Sequence, residues 1–228
     1  MFYEPDKNDH GLPFNPFKSI VVPRPIGWVS TVDREGRGNL APYSQFNNLG
    51  YDPPYVMIST SRAPDGPRKH TGRNIVDTGE FVLNLATYEL REAVRISSRD
   101  LPDGTDEAEA AGLEMLPSRL VKPRRVAASP IHLECQLYTT LLLPGRTPRQ
   151  THEVIIGKVV GIHIRDDVMT PEGKIDVLKL RPIARLGYFD YTSVETVFSM
   201  RPDGPNVENL QHGLEGRPRI DANKDAGR

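Results

Sequence analysis

Apolar and polar positions alternate with a period of two through much of the chain, the mark of half-buried β-strands. The clearest run is residues 131–143, IHLECQLYTTLLL. There Ile131, Leu133, Cys135, Leu137, Leu141 and Leu143 share one face and His132, Glu134 and Gln136 the other. A second long run, His152 to Arg165, is apolar on both faces between Val154 and Val160, as expected in a closed barrel or at a subunit interface. Shorter runs at Ile26–Val32 and Asn39–Ser44 flank the charged, glycine-bearing turn Asp33–Gly38, a hairpin pattern. Pro42 has no N–H to donate, so the second of these strands belongs at an edge or a bulge. Further strands are expected at Tyr55–Ser59, Glu80–Leu85, Leu178–Leu180 and Ala184–Tyr188. Helical signals are few. A short helix over Asn74–Asp77 stops at Gly79, a second is capped by Thr87 with Leu90, Ala93 and Val94 on one face, and a third begins at Asp106. The pattern predicts a mainly β architecture with a few peripheral helices.

Parity along 152–165 separates two histidines. His152 shares a face with Val154 and Ile156 and follows a loop, which places it at a barrel mouth. His163 has the parity of Glu153 and Arg165, which predicts a solvent-facing side chain. Ahead of the first hairpin, residues 1–18 alternate aromatics with prolines, as an arm lying on the barrel or on a partner subunit would. The main domain is expected over 19–195, and 196–228 loses apolar periodicity and reads as an arm or disordered tail.

Composition narrows the function classes. With 228 residues, 37% hydrophobic content and a net charge of −1, the chain suits one large domain, and charge makes no case for nucleic acid. No apolar run approaches the roughly 20 residues that span a bilayer, and 1–14 has no signal-peptide core, so no membrane association and a cytoplasmic location are expected. The single cysteine, Cys135, suits a reducing compartment and reads as a core residue. Six scattered histidines lack ligand spacing, so no metal is expected. Walker and G-x-S-x-G motifs are absent, and Gly36-Arg37-Gly38 lacks the third glycine of a dinucleotide fingerprint.

Candidate chemistry lies in two stretches. Around the first hairpin, Ser30, Thr31, Ser44, Gln45, Asn47 and Asn48, with Trp28 and Phe46 nearby, resemble the lining of a pocket for a flat, heteroatom-rich ligand. The long loop from Thr60 to Thr71 concentrates hydroxyls with Arg62, Arg68, Lys69 and His70, against the single acid Asp65. That composition fits either a phosphate site or a solvated basic loop.

The series Arg24-Pro25-Ile26-Gly27-Trp28-Val29-Ser30-Thr31, then 39–47 (NLAPYSQFN), 52–54 (DPP), 69–75 (KHTGRNI) and 78–84 (TGEFVLN) resembles the flavin reductase-like, FMN-binding split-barrel proteins, in order from about Pro23 to Tyr191. The resemblance implies an FMN-binding split β-barrel, a homodimer with noncovalent FMN near the interface. It implies Pro25, Ile26, Gly27, Trp28, Val29, Ser30 and Thr31 with Ser44, Gln45, Phe46 and Asn47 around the ring and ribityl chain. Ser61, Arg62, Lys69, His70 and Thr71 would hold the phosphate. NADH or NADPH would be a transient co-substrate, with a small molecule or a protein as electron acceptor. In such relatives a histidine-bearing triplet lies near the rings; here the run is Gln150-Thr151-His152, and His152 is either a cofactor or substrate contact or a structural histidine. An FMN carrier without turnover and a flavin-free barrel module are the other readings.

Overall fold

The computed structural model describes residues 1–61, 67–99, 101, 105–147 and 150–200. Among these, the strands are β1 (Arg24–Pro25), β2 (Gly27–Val32), β3 (Gly38–Tyr43), β4 (Phe46–Tyr51), β5 (Pro54–Ser61), β6 (Glu80–Leu85), β7 (Met115–Leu116), β8 (Arg125–Val126), β9 (Ile131–Leu143), β10 (His152–Ile164), β11 (Ile183–Gly187) and β12 (Asp190–Ser193). The helices are α1 (His70–Thr78), α2 (Arg91–Ile96), α3 (Glu107–Ala110) and α4 (Val177–Leu180). All belong to one compact unit, Met1–Glu195. Most of the expected C-terminal tail, 201–228, lies outside the described residues.

Seven strands form one antiparallel sheet in the order β3-β2-β6-β9-β10-β5-β4. β3 is an edge strand, as Pro42 requires. The two edge strands are consecutive in sequence, and at the corner between them the Ser59 N–H donates to the Gln45 carbonyl at 2.8 Å. The sheet is thereby rolled around an apolar interior of Val29, Val56, Ile58, Phe81, Cys135 and Ile155. Gly157 makes room in this interior: a Cβ there would sit 2.3 Å from the Phe81 ring. Cys135 is fully buried, as its place in the alternation predicts, and burial raises its thiol pKa.

The opposite face of β2 and β6 carries a second core. Ile26, Trp28, Leu40, Val94, Ala108 and Val126 pack together there beneath α2, α3 and the 113–126 segment. α1 packs against β2, β3 and β6 and ends at Gly79, whose φ of 76° is the left-handed conformation that glycine adopts without strain. β1 lies outside the large sheet, pairing with β11.

One strand was not expected, and three expectations need correction. β4 has no alternation, but an edge strand needs only its backbone ladder to β5 to form. Leu178–Leu180 is helical, because the Asp176 side chain accepts the Lys179 N–H and caps a turn. Thr87 does not cap α2; it bridges to Pro182, and the helix starts after Leu90. His163 is not solvent-facing: its Nε2 lies 2.5 Å from the fully buried Glu134, whose carboxylate also accepts the N–H groups of Arg119 and Leu120. The extra residue Val160, between the Val159–Cys135 and Gly161–Glu134 pairs, reverses the side-chain parity along β10, so His163 pairs with His132 on the Glu134 side of the sheet; the other shift, at Ile156/Gly157, falls on β9, where Tyr138 is the extra residue.

Candidate functional site

The start of α1 is held against the rolled sheet from two sides. On the β3 side, Thr71 Oγ1 accepts the Asn39 Nδ2 at 2.9 Å, and the Tyr43 phenol also bonds to Thr71. Burial pushes the Tyr43 pKa up to about 12, so the phenol stays neutral. On the β10 side, Arg68 makes a two-pronged pair with Glu153, Nε to Oε2 at 2.7 Å and Nη2 to Oε1 at 2.9 Å. Glu153 is 1% exposed. It faces Thr60 across the β10–β5 ladder, and Thr60 Oγ1 would be 3.2 Å from a Cβ on Gly72. The missing side chain at Gly72 is what lets the helix start sit this close to β5.

Between these two anchors α1 begins without a side-chain cap. Lys69 occupies the N-cap with extended dihedrals and forms no capping bond, and the first turn has no acid. The first N–H groups of any helix lack an intrahelical acceptor, and the helix dipole adds partial positive charge there. Lys69 is exposed and has no ion pair among the described residues. His70 is exposed beside it, and Ser61 ends β5 opposite His152.

The β3–β4 corner runs past the same mouth. Tyr43 reaches Thr71, and two residues later Gln45 is bonded to Ser59, just ahead of Ser61. Ser44 is half-buried, while Gln45 and Asn47 are exposed. Phe46 pairs with Ile58 and lies over Gly27, where a Cβ would come 2.9 Å from the ring. The fold thus sets Ser61 opposite His152, Gln45 beside Ser59, Tyr43 against Thr71 next to Lys69 and His70, and Phe46 over Gly27.

It does not bring the rest of the first hairpin there as open side chains. Trp28 is fully buried with its Nε1 donating to Ser97, and Val29 lies in the interior core. Ser30 donates to the Arg124 carbonyl, and Thr31 accepts from Asn74. Ile26 is in the second core, and Pro25 sits exposed on β1. Arg62 lies outside the described residues. Thr71 is within the site but buried, its hydroxyl engaged by Asn39 and Tyr43.

A cleft of about 540 Å³ opens on the far side of His70, between the hairpin turn at Asp33–Asn39, Arg73 and Asn74 of α1, and Thr105–Glu107. Burial raises the Glu107 pKa, and Asp33 and Asp106 also line the cleft. Its lining sets these three carboxylates against Arg37, which pairs with Asp33, and against Arg73 and His70, so the charge of the cleft is mixed.

Sequence reasoning missed the pairing of Arg68 with Glu153. Glu153 is the one acid in the apolar run that follows it, and it shares the interior parity of Ile155 and Val159. A buried acid in that setting needs a cationic partner.

The Flavin reductase like domain family matches residues 19–191. The chain belongs to this family. A protein of Halalkalibacterium halodurans is 38% identical over 187 residues, covering 82% of this chain and 88% of its own length. Among solved structures, nitrilotriacetate monooxygenase component B from Bacillus cereus is similar with a TM-score of 0.81 and 29% identity, over 88% of this chain and 98% of that one. A split barrel domain protein from Shewanella frigidimarina, at 22% identity and a TM-score of 0.75, covers 90% of this chain and 100% of its own and shares the fold. The rolled sheet of this flavin reductase-like chain is therefore a split β-barrel, and the site described above lies at the barrel's α1 end.

Proposed function

We propose that the protein is an FMN-binding oxidoreductase of the flavin reductase type, taking hydride from NADH or NADPH and passing electrons to a small-molecule or protein acceptor. The observation that carries this reading is the start of α1, where the N-cap residue Lys69 is exposed and makes no capping bond, in a chain of this family whose β3–β4 corner exposes the amides of Gln45 and Asn47. The N–H groups at a helix start and a lysine are the donors a phosphate needs. When bound, FMN supplies the hydride-accepting ring. The chain supplies position. Lys69, the α1 N–H groups, Ser61 and His70 meet the phosphate, and the resemblance assigns Arg62 to the same group. Gln45 and Asn47 offer donors and acceptors to a heteroatom-rich ring edge, while Gly27 and Phe46 offer an apolar wall. His152 at the same mouth orients the nicotinamide or the substrate. No acid–base pair is required, because hydride passes between the two cofactors.

A homodimer fits the surface. Leu141, Leu142 and Leu143, at the end of the β9–β10 ladder nearest His152, are 56%, 48% and 46% exposed, and Tyr138 is 65% exposed. Apolar side chains crowded on one ladder end are costly to leave in water, and a second copy is the occupant proposed for them. The lone buried thiol suits the cytoplasm.

The deciding experiment is the absorption spectrum of the purified protein, with its ligand released and identified, followed by anaerobic mixing with NADH or NADPH. Bleaching of bound FMN on a catalytic timescale is the expected result. FMN that binds but does not bleach makes the protein a carrier. Protein that stays colourless when FMN is supplied overturns the reading.

A further inference from the structure

We infer that Arg68 and Glu153 are a positioning pair that selects phosphorylated over unphosphorylated flavin, with Arg68 acting through the placement of the α1 start and not as a phosphate ligand. This rests on the FMN reading above. Among the cations of the loop, Arg68 looks from composition like a direct phosphate contact. The geometry assigns it elsewhere: both prongs of its guanidinium are taken by a carboxylate that is 1% exposed.

The pair sits where it controls Lys69. Arg68 is the residue immediately before the N-cap, and Glu153 is fixed in the β10 ladder opposite Thr60, against which Gly72 packs. Asn39 and Tyr43 hold Thr71 from the other side. The first turn of α1 is therefore pinned to β3 through Thr71 and to β10 through Arg68, with Lys69 and the first N–H groups of the helix between the two pins. Losing the second pin leaves the fold its first core contacts but frees the helix start to shift. Anion recognition by fixed N–H groups is sensitive to displacements of this kind.

Buried ion pairs add little stability over apolar side chains of the same shape, so stability alone gives no reason for a two-pronged pair here. A planar fork bound at two oxygens does fix orientation, which a lysine cannot reproduce.

The test measures dissociation constants for FMN and riboflavin in the full chain and in Arg68→Lys and Glu153→Asp, with thermal stability followed in parallel. Both substitutions keep every charge and change only the geometry of the pair. The expected result is an FMN affinity about tenfold weaker with riboflavin within about twofold of the unsubstituted protein, so that the preference for FMN shrinks. Either folded variant showing this supports the inference. An unchanged FMN-to-riboflavin ratio, or equal weakening of both ligands alongside a lower melting temperature, makes the pair merely structural and overturns it.

Glu153→Gln adds a check on sign. If Arg68 were a phosphate ligand, releasing it from Glu153 would tighten FMN; a positioning role predicts weaker FMN. An unsubstituted protein that binds no flavin overturns this inference together with the functional reading. Flavin binding with an intact preference in the variants overturns the inference alone.

Discussion

The two stretches that the resemblance assigns to the flavin ring and to its phosphate, residues 25–31 and the described part of 61–71, have opposite fates. In the first, the side chains of Trp28, Ser30 and Thr31 turn into the protein and find partners in Ser97, Arg124 and Asn74. In the second, Lys69 stays exposed at the N-cap of α1 and makes no capping bond, while Arg68 and Thr71 near it are tied down. Polar residues of similar type thus serve packing in one place and leave donors open in the other. The difference comes from what lies above each. The outer face of β2 is roofed by α2, α3 and the 113–126 segment, so its polar atoms must be satisfied internally. Among the described residues no helix or strand covers Lys69, which is exposed.

The sharpest way to break this contrast is through the interior. Phe81→Ala empties the space that Gly157 keeps open for the ring and should cost about 3–5 kcal/mol, read as a fall in the urea midpoint. A loss below about 1 kcal/mol would mean the barrel interior does not depend on this packing. On the open side, Lys69→Ala should leave the urea midpoint nearly unmoved but weaken FMN by about 1.5–3 kcal/mol, with riboflavin barely affected. Equal loss for both ligands would take Lys69 away from the phosphate.

A smaller effect comes from pH on the roofed side. His132 is buried, and burial is the main reason its pKa is lowered to about 4, with Arg125 and His163 adding to it. The unfolded chain therefore binds more protons than the folded one between pH 6.5 and 4, so stability falls as pH drops through that window. The loss should be roughly 2 kcal/mol by pH 5. His132→Asn should flatten the pH profile of the urea midpoint across this range, and a profile of unchanged slope would remove His132 as its cause. Smallest of all, Cys135→Ala should cost about 1 kcal/mol of stability and leave flavin content intact. Loss of redox activity from well-folded Cys135→Ala protein would give the thiol a role that its burial denies.

Legibility followed the strength of local patterns. The bounds of β9 and β6 were readable to the residue, but the alternation along β9 breaks at the extra residue Tyr138, which turns Leu141 and Leu143 away from the Cys135 face on which the pattern puts them. β4 was invisible, since Asn47, Asn48 and Gly50 carry no periodicity and only the partner strand makes them a strand. At the site, the basic loop and the amides of the corner were legible from composition, but the engagement of Arg68 was not. Its partner Glu153 lies 85 residues away and reads as surface until the strand's inner face is known.

By itself the sequence determined the mainly β class, the family, the edge position of Pro42 and the buried place of Cys135, because each follows from local periodicity, a backbone constraint or an ordered series of motifs. Only the tertiary structure decided which polar side chains remain open, since that depends on which segment covers which face. It also decided the side on which His163 lies, because one extra residue on β10, Val160, shifts the parity of every residue of that strand beyond it.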